Sequence, residues 1–139
     1  MKQMPDKVFL DSNILIYAYS IDEQKKQKIV QQLLNKHKII FISTQTINEF
    51  INVTVKKKML NTMQVTSVVN ELFSVFLIEL IDQNSIAKAL VLAGKYHYSY
   101  FDSLMISSAL ISDCAILYSE DMHHEHIVEG KLKIINPFF

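Results

Sequence analysis

The sequence contains no arginine and no tryptophan, and it has only two glycines, Gly94 and Gly130. All 14 basic residues are therefore lysines, which excludes arginine fingers and bidentate guanidinium contacts to phosphate. Two isolated glycines cannot form a phosphate-binding P-loop or a dinucleotide-binding fingerprint, so nucleotide cofactors bound in those ways are excluded as well. If the protein handles phosphate, lysines or a metal ion must neutralise its charge.

Cysteine is also scarce, and long apolar runs are absent. The single cysteine, Cys114, has no partner for a disulfide within the chain, and its apolar neighbours predict a buried thiol rather than a nucleophile. No apolar run approaches the roughly 18 uncharged residues of a membrane span, and no apolar signal core precedes Val8. We expect a cytoplasmic protein in a reducing compartment.

The length of 139 residues predicts one domain, spanning residues 1–139, and half of the residues are apolar, which is enough for a sizeable core. The formal net charge is zero, but the charges are segregated along the chain. Residues 25–58 contain eight lysines and one acid, whereas residues 71–129 contain nine acids and two lysines. This asymmetry is compatible with a basic face beside an acidic cleft, or with ordinary solvated helix faces.

The hydrophobic pattern alternates between short apolar strands and amphipathic helices. Strands are predicted at 8–10, 39–42, 76–81, 115–118 and 132–135. Helices are predicted from a capping box at 20–23 to about residue 37, from a second box at 46–49 to the lysine triplet, and at 62–73, 85–97 and 101–112. Helical crossovers between strands indicate a mostly parallel sheet in a three-layer α/β/α sandwich.

Four acids are placed where the ligands of such sheets bind, beyond the carboxyl ends of the strands. Asp11 follows the first strand and Asp121 follows the fourth, while Glu49 and Asp102 fall in the first turns of predicted helices. Each has an ordinary alternative explanation. Asp11 can cap a helix that begins near Asn13, Glu49 and Asp102 can complete capping boxes, and Asp121 can be a loop acid. The case for a site rests on their convergence.

Four segments that contain these acids resemble, in order, the four motifs of PIN-domain nucleases, and most closely those of VapC-like toxins of bacterial toxin–antitoxin pairs. The segments are VFLDSN (8–13), TINEF (46–50), YFDSLMISSA (100–109) and LYSEDM (117–122). Any one of them is a weak signal, whereas the ordered set covers essentially the whole chain. The resemblance implies a parallel sheet, an acidic metal site and endoribonuclease activity, with a cognate antitoxin as partner and a homodimeric toxin.

Position by position, the resemblance assigns the acidic quartet to Asp11, Glu49, Asp102 and Asp121, and supporting polar positions to Ser12, Asn13 and Ser119. The chain departs from many relatives after Asp121, where it continues His123-His124-Glu125-His126 in place of a glutamine and a glycine. The histidines suit a solvated turn better than a second metal site, since no Cys/His ligand set exists elsewhere. Glu120 can replace Asp121 if the register shifts by one residue.

Clustered carboxylates repel one another, so four together require a cation. Oxygen ligands without cysteine favour Mg²⁺ or Mn²⁺, and one or two ions are both compatible with the sequence. RNA would then be attracted by lysines, for which Lys56, Lys57 and Lys58 are the candidates. The tyrosines at 17, 19, 96, 98 and 100 can stack on unpaired bases, although core packing is the commoner role.

Two other functions remain open at this point. One is a phosphatase with Asp11 as covalent nucleophile, but such enzymes usually carry a second Asp two residues later, where this chain has Asn13. The other is a non-catalytic PIN-like module that binds RNA or protein and whose acids are only helix caps. Binding of Mn²⁺ that depends on the acids would favour the nuclease.

Overall fold

The computed structural model describes residues 4–139, with side chains described from residue 7. The predicted absence of a signal core before Val8 therefore concerns residues that lie partly outside this range. The strands are β1 Met4–Leu10, β2 Ile39–Ser43, β3 Leu77–Glu79, β4 Cys114–Tyr118, β5 Ile127–Val128 and β6 Leu132–Ile135. The helices are α1 Ser12–Ala18, α2 Gln24–Lys36, α3 Thr44–Lys56, α4 Thr62–Val75, α5 Gln83–Tyr96 and α6 Tyr100–Ile111.

The strands form one sheet in the order β3-β2-β1-β4-β6-β5. All neighbours are parallel except β5 and β6, so the sheet is mostly parallel, as the sequence predicts. The two central strands, β1 and β4, carry the chain to the same edge. There the backbone N–H of Asp11 donates to the carbonyl of Tyr118 over 3.0 Å, which holds the exits of the two strands together.

Helices cover both faces of the sheet and enclose two apolar cores. Alternate residues of β1 face opposite sides: Val8 and Leu10 pack with residues of α1 to α4, whereas Phe9 packs with Leu92 of α5 and with α6. Helix α6 is buried almost all round, from Ser103 to Leu110, which explains its continuous apolar sequence. The predicted α/β/α sandwich is confirmed.

Two of the predicted capping boxes are wrong. Helix α3 is capped by Ser43, whose hydroxyl accepts from the Thr46 N–H over 3.1 Å while the Thr46 hydroxyl accepts from the Ser43 N–H over 3.0 Å. Thr46 is thus the third helical residue and not the cap, and Glu49 lies in the second turn. Ser20 belongs to the exit of α1, because its N–H donates to Tyr17, and α2 starts only at Gln24.

Three further boundaries differ from the prediction. The strand predicted at 76–81 is limited to Leu77–Glu79, because Phe76 caps the end of α4 and the N–H of Ile81 donates to the hydroxyl of Thr44 over 3.1 Å. Helix α5 begins at Gln83 with Asp82 as its cap. The sequence analysis also missed α1 as a full element and the two-residue strand β5.

Within residues 4–139, no helix is both long and apolar enough to cross a membrane.

Candidate active site

Asp11 lies at the centre of a polar cluster at the carboxyl edge of β1 and β4. It is the N-cap of α1 and only 5% of it is exposed. One carboxylate oxygen, Oδ1, accepts from the N–H of Ser12 over 2.7 Å, and the other, Oδ2, accepts from the hydroxyl of Ser119 over 2.7 Å. The capping explanation is therefore correct for Asp11, but one cap contact does not account for a carboxylate buried among other acids.

Glu49 is joined to Asp11 through Ser12. The Ser12 hydroxyl donates to Glu49 Oε1 over 2.7 Å and lies 3.4 Å from Asp11 Oδ1. The amide of Gln45, one helical turn earlier, donates to Glu49 Oε2 over 3.1 Å. Because α3 begins at Thr44, its second turn points the Glu49 side chain back toward the start of α1. Glu49 is consequently part of the cluster and not part of a helix cap.

Asp121 reaches the same cluster through Asn13. The amide nitrogen of Asn13 donates to Asp121 Oδ2 over 3.0 Å and approaches Asp11 Oδ2 at 3.5 Å. The N–H of Asp121 donates to the hydroxyl of Ser119 over 3.3 Å. The same hydroxyl donates to Asp11 Oδ2. Asp121 is exposed, so this acid forms the solvent side of the cluster.

Asp102 completes the group from the first turn of α6. Its backbone N–H donates to the cap residue Ser99 over 3.1 Å, and its side chain is half-buried. Burial raises the pKa of Asp102, and the negative charges of Asp121 and Glu49 raise it further, although Ser99 acts in the opposite direction. The charges of Asp121 and Glu49 thus act on Asp102, although the three acids come from separate parts of the chain.

The electrostatics of Asp11 show the cost of this arrangement. Burial raises the pKa of Asp11 from 3.8 to about 7, and the charges of Glu49 and Asp102 add to the effect of burial. The hydrogen bonds from Ser119 and Ser12 lower the pKa but do not compensate for burial. A carboxylate kept charged at neutral pH in such surroundings needs a positive charge nearby.

The cluster suits a hard divalent cation held partly through water. Among the described residues, no three His, Cys, Asp or Glu side chains form a ready-made metal-binding group. Ser12 and Asn13 instead form hydrogen bonds to Glu49 and Asp121. Mg²⁺ does not need such a group, since it usually keeps several waters and binds one or two carboxylates directly. The all-oxygen donor set and the uncompensated burial of Asp11 both fit such an ion.

Glu120 and Asp121, the two neighbouring candidates, have different surroundings. The side chain of Glu120 contacts the ammonium of Lys26 and accepts from the hydroxyl of Tyr17. Burial acts to raise the pKa of Glu120, but Lys26 and Tyr17 outweigh it, so the pKa is lowered. Glu120 is thus paired with a cation of its own, whereas the Asp121 carboxylate contacts Asn13.

Lys26 is a residue of this region that the sequence analysis did not single out. It stacks over the rings of Tyr17 and Phe138, at 4.6 Å and 5.2 Å from their centroids, and fixes Glu120 beside the loop that carries Asp121. A lysine on a solvated helix gives no local signal for this contact, because its partners lie far away in sequence.

The lysine triplet lies away from the acids. Lys56 ends α3 and is seven residues after Glu49, which corresponds to about 10 Å along the helix axis. Lys57 and Lys58 line a groove with Tyr19 and Ile21. The structure therefore places these exposed lysines at the far end of α3, where they can act on RNA only through long-range attraction or an extended contact.

The histidine loop is more ordered than a solvated turn. His124 accepts from the N–H of Asn136 over 3.0 Å and stacks on Phe139, with ring centroids 4.2 Å apart. His126 is hydrogen bonded to the hydroxyl of Tyr98 over 2.8 Å. The histidines of the described chain do not group into a metal site.

Cys114 is buried as expected, and burial raises the pKa of its thiol to about 12.

Comparison with known proteins identifies the family. The matching family model is that of the PIN domain, and it covers residues 8–129. The chain belongs to the PIN-domain family. All four acids of the cluster lie within the matched residues, as do the bridging side chains Ser12 and Asn13. No curated protein sequence matches the chain.

Solved structures share the fold. A toxin–antitoxin complex from Klebsiella pneumoniae is 22% identical, with a TM-score of 0.70 over 94% of this chain and 98% of that one. VapC20 of Mycobacterium tuberculosis, described as a toxin that cleaves the sarcin–ricin loop, is 13% identical, with a TM-score of 0.66 over 80% and 87%. VapBC2 from Rickettsia felis, bound to promoter DNA, is 18% identical, with a TM-score of 0.67 over 93% and 98%. At these identities the likeness concerns the fold of the PIN domain.

Proposed function

We propose that this PIN-domain protein is an endoribonuclease that depends on Mg²⁺ or Mn²⁺ and acts as the toxin of a toxin–antitoxin pair. The observation that carries the proposal is the cluster itself. Asp11, Glu49, Asp102 and Asp121 come from four separate segments, and the charges of Glu49 and Asp102 help to raise the pKa of a buried Asp11. If the four acids only capped helices, nothing would require their side chains to lie together.

The proposal gives each residue of the cluster a role. Asp11 and Asp102 are the principal ligands of the ion, Asp121 is a further ligand, and Glu49 either binds the ion or orients the attacking water. When bound, the ion would neutralise charge on the scissile phosphate and lower the pKa of a bound water. Cleavage by water would leave a 5′-phosphate and a 3′-hydroxyl.

The neighbouring polar side chains position these acids. Ser119 holds Asp11 Oδ2, and Ser12 holds Glu49 by donating its hydroxyl proton. Asn13 holds Asp121 at the exposed side of the cluster, where RNA can approach. Since the chain has no arginine, the attraction of RNA rests on lysines such as Lys56–Lys58, and cleavage should weaken steeply with salt.

The comparison supports the antitoxin partner in this proposal. The similar Klebsiella structure is a toxin–antitoxin complex, and the similar Rickettsia structure is bound to promoter DNA. We extend to this chain a cognate antitoxin, a homodimeric toxin and a cytoplasmic location, where RNA is available. Co-purification with the product of the adjacent reading frame tests the antitoxin partner. Light scattering of the purified toxin tests the homodimer.

The direct test is cleavage of RNA by purified variants. Asp11→Asn and Asp102→Asn should each abolish cleavage in Mg²⁺ while the far-ultraviolet circular dichroism stays unchanged. Asp113→Asn is the matched control. Asp113 lies outside the cluster, immediately before β4, and its positive φ of 56° is one that asparagine readily adopts. Full cleavage by both cluster variants would refute the assignment.

The two other functions have their own readouts. A non-catalytic module would bind Mn²⁺ equally well in wild type and in Asp11→Asn, or not at all. A phosphatase would form an acyl-phosphate on Asp11 with a phosphate monoester. The geometry does not favour the phosphatase, because Asn13, at the position of its second Asp, is engaged with Asp121.

A further inference from the structure

Three rings form a compact group beside the acidic cluster, which we name the aromatic shelf: Tyr98, His123 and His126. The Tyr98 ring stacks with that of His126, with centroids 5.8 Å apart and planes inclined by 28°. The His123 ring lies 5.4 Å from Tyr98 and is exposed. The shelf thus presents aromatic surface to solvent next to the acids.

The shelf is held in place before any ligand arrives. The hydroxyl of Tyr98 and Nδ1 of His126 share a hydrogen bond of 2.8 Å, and the N–H of His126 donates to the carbonyl of His123 over 3.2 Å. The loop is anchored to β6 because Ile134 donates to the carbonyl of His126 over 2.9 Å. Rings that are already ordered lose little freedom when they bind a ligand, which favours recognition.

Two separate chain segments bring the shelf to the acids. His123 follows Asp121 by two residues, and Tyr98 precedes Asp102 by four residues at the entrance to α6. Burial raises the pKa of Tyr98, a backbone hydrogen bond with His123 lowers it, and the charge of Asp102 raises it by a smaller amount. The shelf therefore borders the side of the cluster formed by these two acids.

The chemistry of the shelf fits a nucleobase. Aromatic side chains and histidine stack on bases that are unpaired, and such stacking tolerates different bases because every base has a π face. Neither tyrosine nor histidine needs to change its charge for this contact. Phosphate alone would not require a row of rings, and this chain contains no arginine to stack in their place.

We infer that the shelf, through the exposed ring of His123, stacks on an unpaired base adjacent to the phosphate that the acidic cluster cuts. The inference rests on the proposed endoribonuclease function and adds to it the residues that would contact the nucleotide next to the scissile phosphate. His123 would be a binding residue for the flanking nucleotide rather than a group that reacts.

The experiment measures stacking separately from cleavage. A short single-stranded RNA carries the fluorescent base 2-aminopurine at each position in turn and is titrated with the protein in Ca²⁺ at low salt, with gels to monitor cleavage. We compare wild type, His123→Phe, which keeps an aromatic face, and His123→Leu, which keeps apolar bulk without one. His123 is exposed, so both variants should fold.

The expected result is that wild type and His123→Phe quench the fluorescence at one or two positions. His123→Leu should lose that quenching and bind about 10-fold more weakly, the effect of one lost base stack. Replacing the quenched base by an abasic site should remove the difference between the variants. Equal quenching by the leucine variant, or failure of the phenylalanine variant, would overturn the inference. Absence of cleavage by wild type in Mg²⁺ would instead refute the proposed function, because the binding measurement does not depend on turnover.

Discussion

Replacing Asp11 by asparagine should stabilise the metal-free protein, although it removes the central acid of the site. Burial and the charges of Glu49 and Asp102 raise the pKa of Asp11 from 3.8 to about 7 in the folded protein. The folded state therefore holds the proton more tightly than the unfolded chain does. The ionised carboxylate of Asp11 therefore lowers the free energy of unfolding, whereas the neutral amide in Asp11→Asn does not.

The magnitude follows from the shift in pKa. The rise of the Asp11 pKa from 3.8 to about 7 lowers the free energy of unfolding by roughly 4 kcal/mol above pH 7, where Asp11 is ionised in both the folded and the unfolded state. The penalty falls as the pH drops from 7 toward 3.8 and is absent below 3.8, where both states are protonated. Asparagine can keep both contacts of Asp11. Its side-chain oxygen can accept from the Ser12 N–H, but its side-chain nitrogen would have to donate to the hydroxyl of Ser119. We therefore expect a net gain between about 1 and 4 kcal/mol at pH 8.

The assay is urea unfolding of protein treated with a chelator, at pH 8, 6 and 4.5, for wild type, Asp11→Asn and the control Asp113→Asn. The advantage of Asp11→Asn over wild type should be largest at pH 8 and smallest at pH 4.5. Adding Mg²⁺ should stabilise wild type by an amount that grows with concentration and leave Asp11→Asn unchanged. A variant that is less stable than wild type by the same amount at every pH would refute the reasoning about burial and charge.

Two further predictions concern the surroundings of the cluster, and a third concerns the buried thiol of Cys114. Ser12→Ala removes the hydroxyl that bridges Asp11 and Glu49, and should weaken Mn²⁺ binding, measured by calorimetry, about 10-fold or more without unfolding the protein. Lys26→Met should lower the free energy of unfolding by about 1 kcal/mol because Glu120 loses its cation, and a double-mutant cycle with Glu120→Gln should show that the two changes are not additive. Cys114, whose burial raises its pKa to about 12, should react with a thiol reagent at pH 8 only after unfolding in urea.

The arrangement of strands and helices could be predicted from sequence because it depends on local periodicity. Apolar runs such as 39–42 and the long buried helix α6 carry strong signals over many residues. Strand β5 has only two residues and pairs with β6 through a turn, so it leaves no periodic pattern. The caps failed for a different reason. Ser43 and Thr46 are both good cap residues, and the three-dimensional exit of β2 decided between them.

The position of the acids could be predicted from the rule that parallel strands end at one edge, together with the family motifs. The bridges between them could not. Ser12 and Glu49 are 37 residues apart, and Asn13 and Asp121 are 108 residues apart, so the hydrogen bonds that join the acids depend on the folded sheet. The pairing of Lys26 with Glu120 over 94 residues is of the same kind.

Binding of Mn²⁺ to the purified protein, followed by electron paramagnetic resonance of the free ion, tests the central claim most directly. We expect saturable binding by wild type and by Asp113→Asn, and loss of that binding in Asp11→Asn and in Asp102→Asn. Wild-type protein that binds no Mn²⁺, or cluster variants that bind it as tightly as wild type, would contradict the claim that these acids form a metal site.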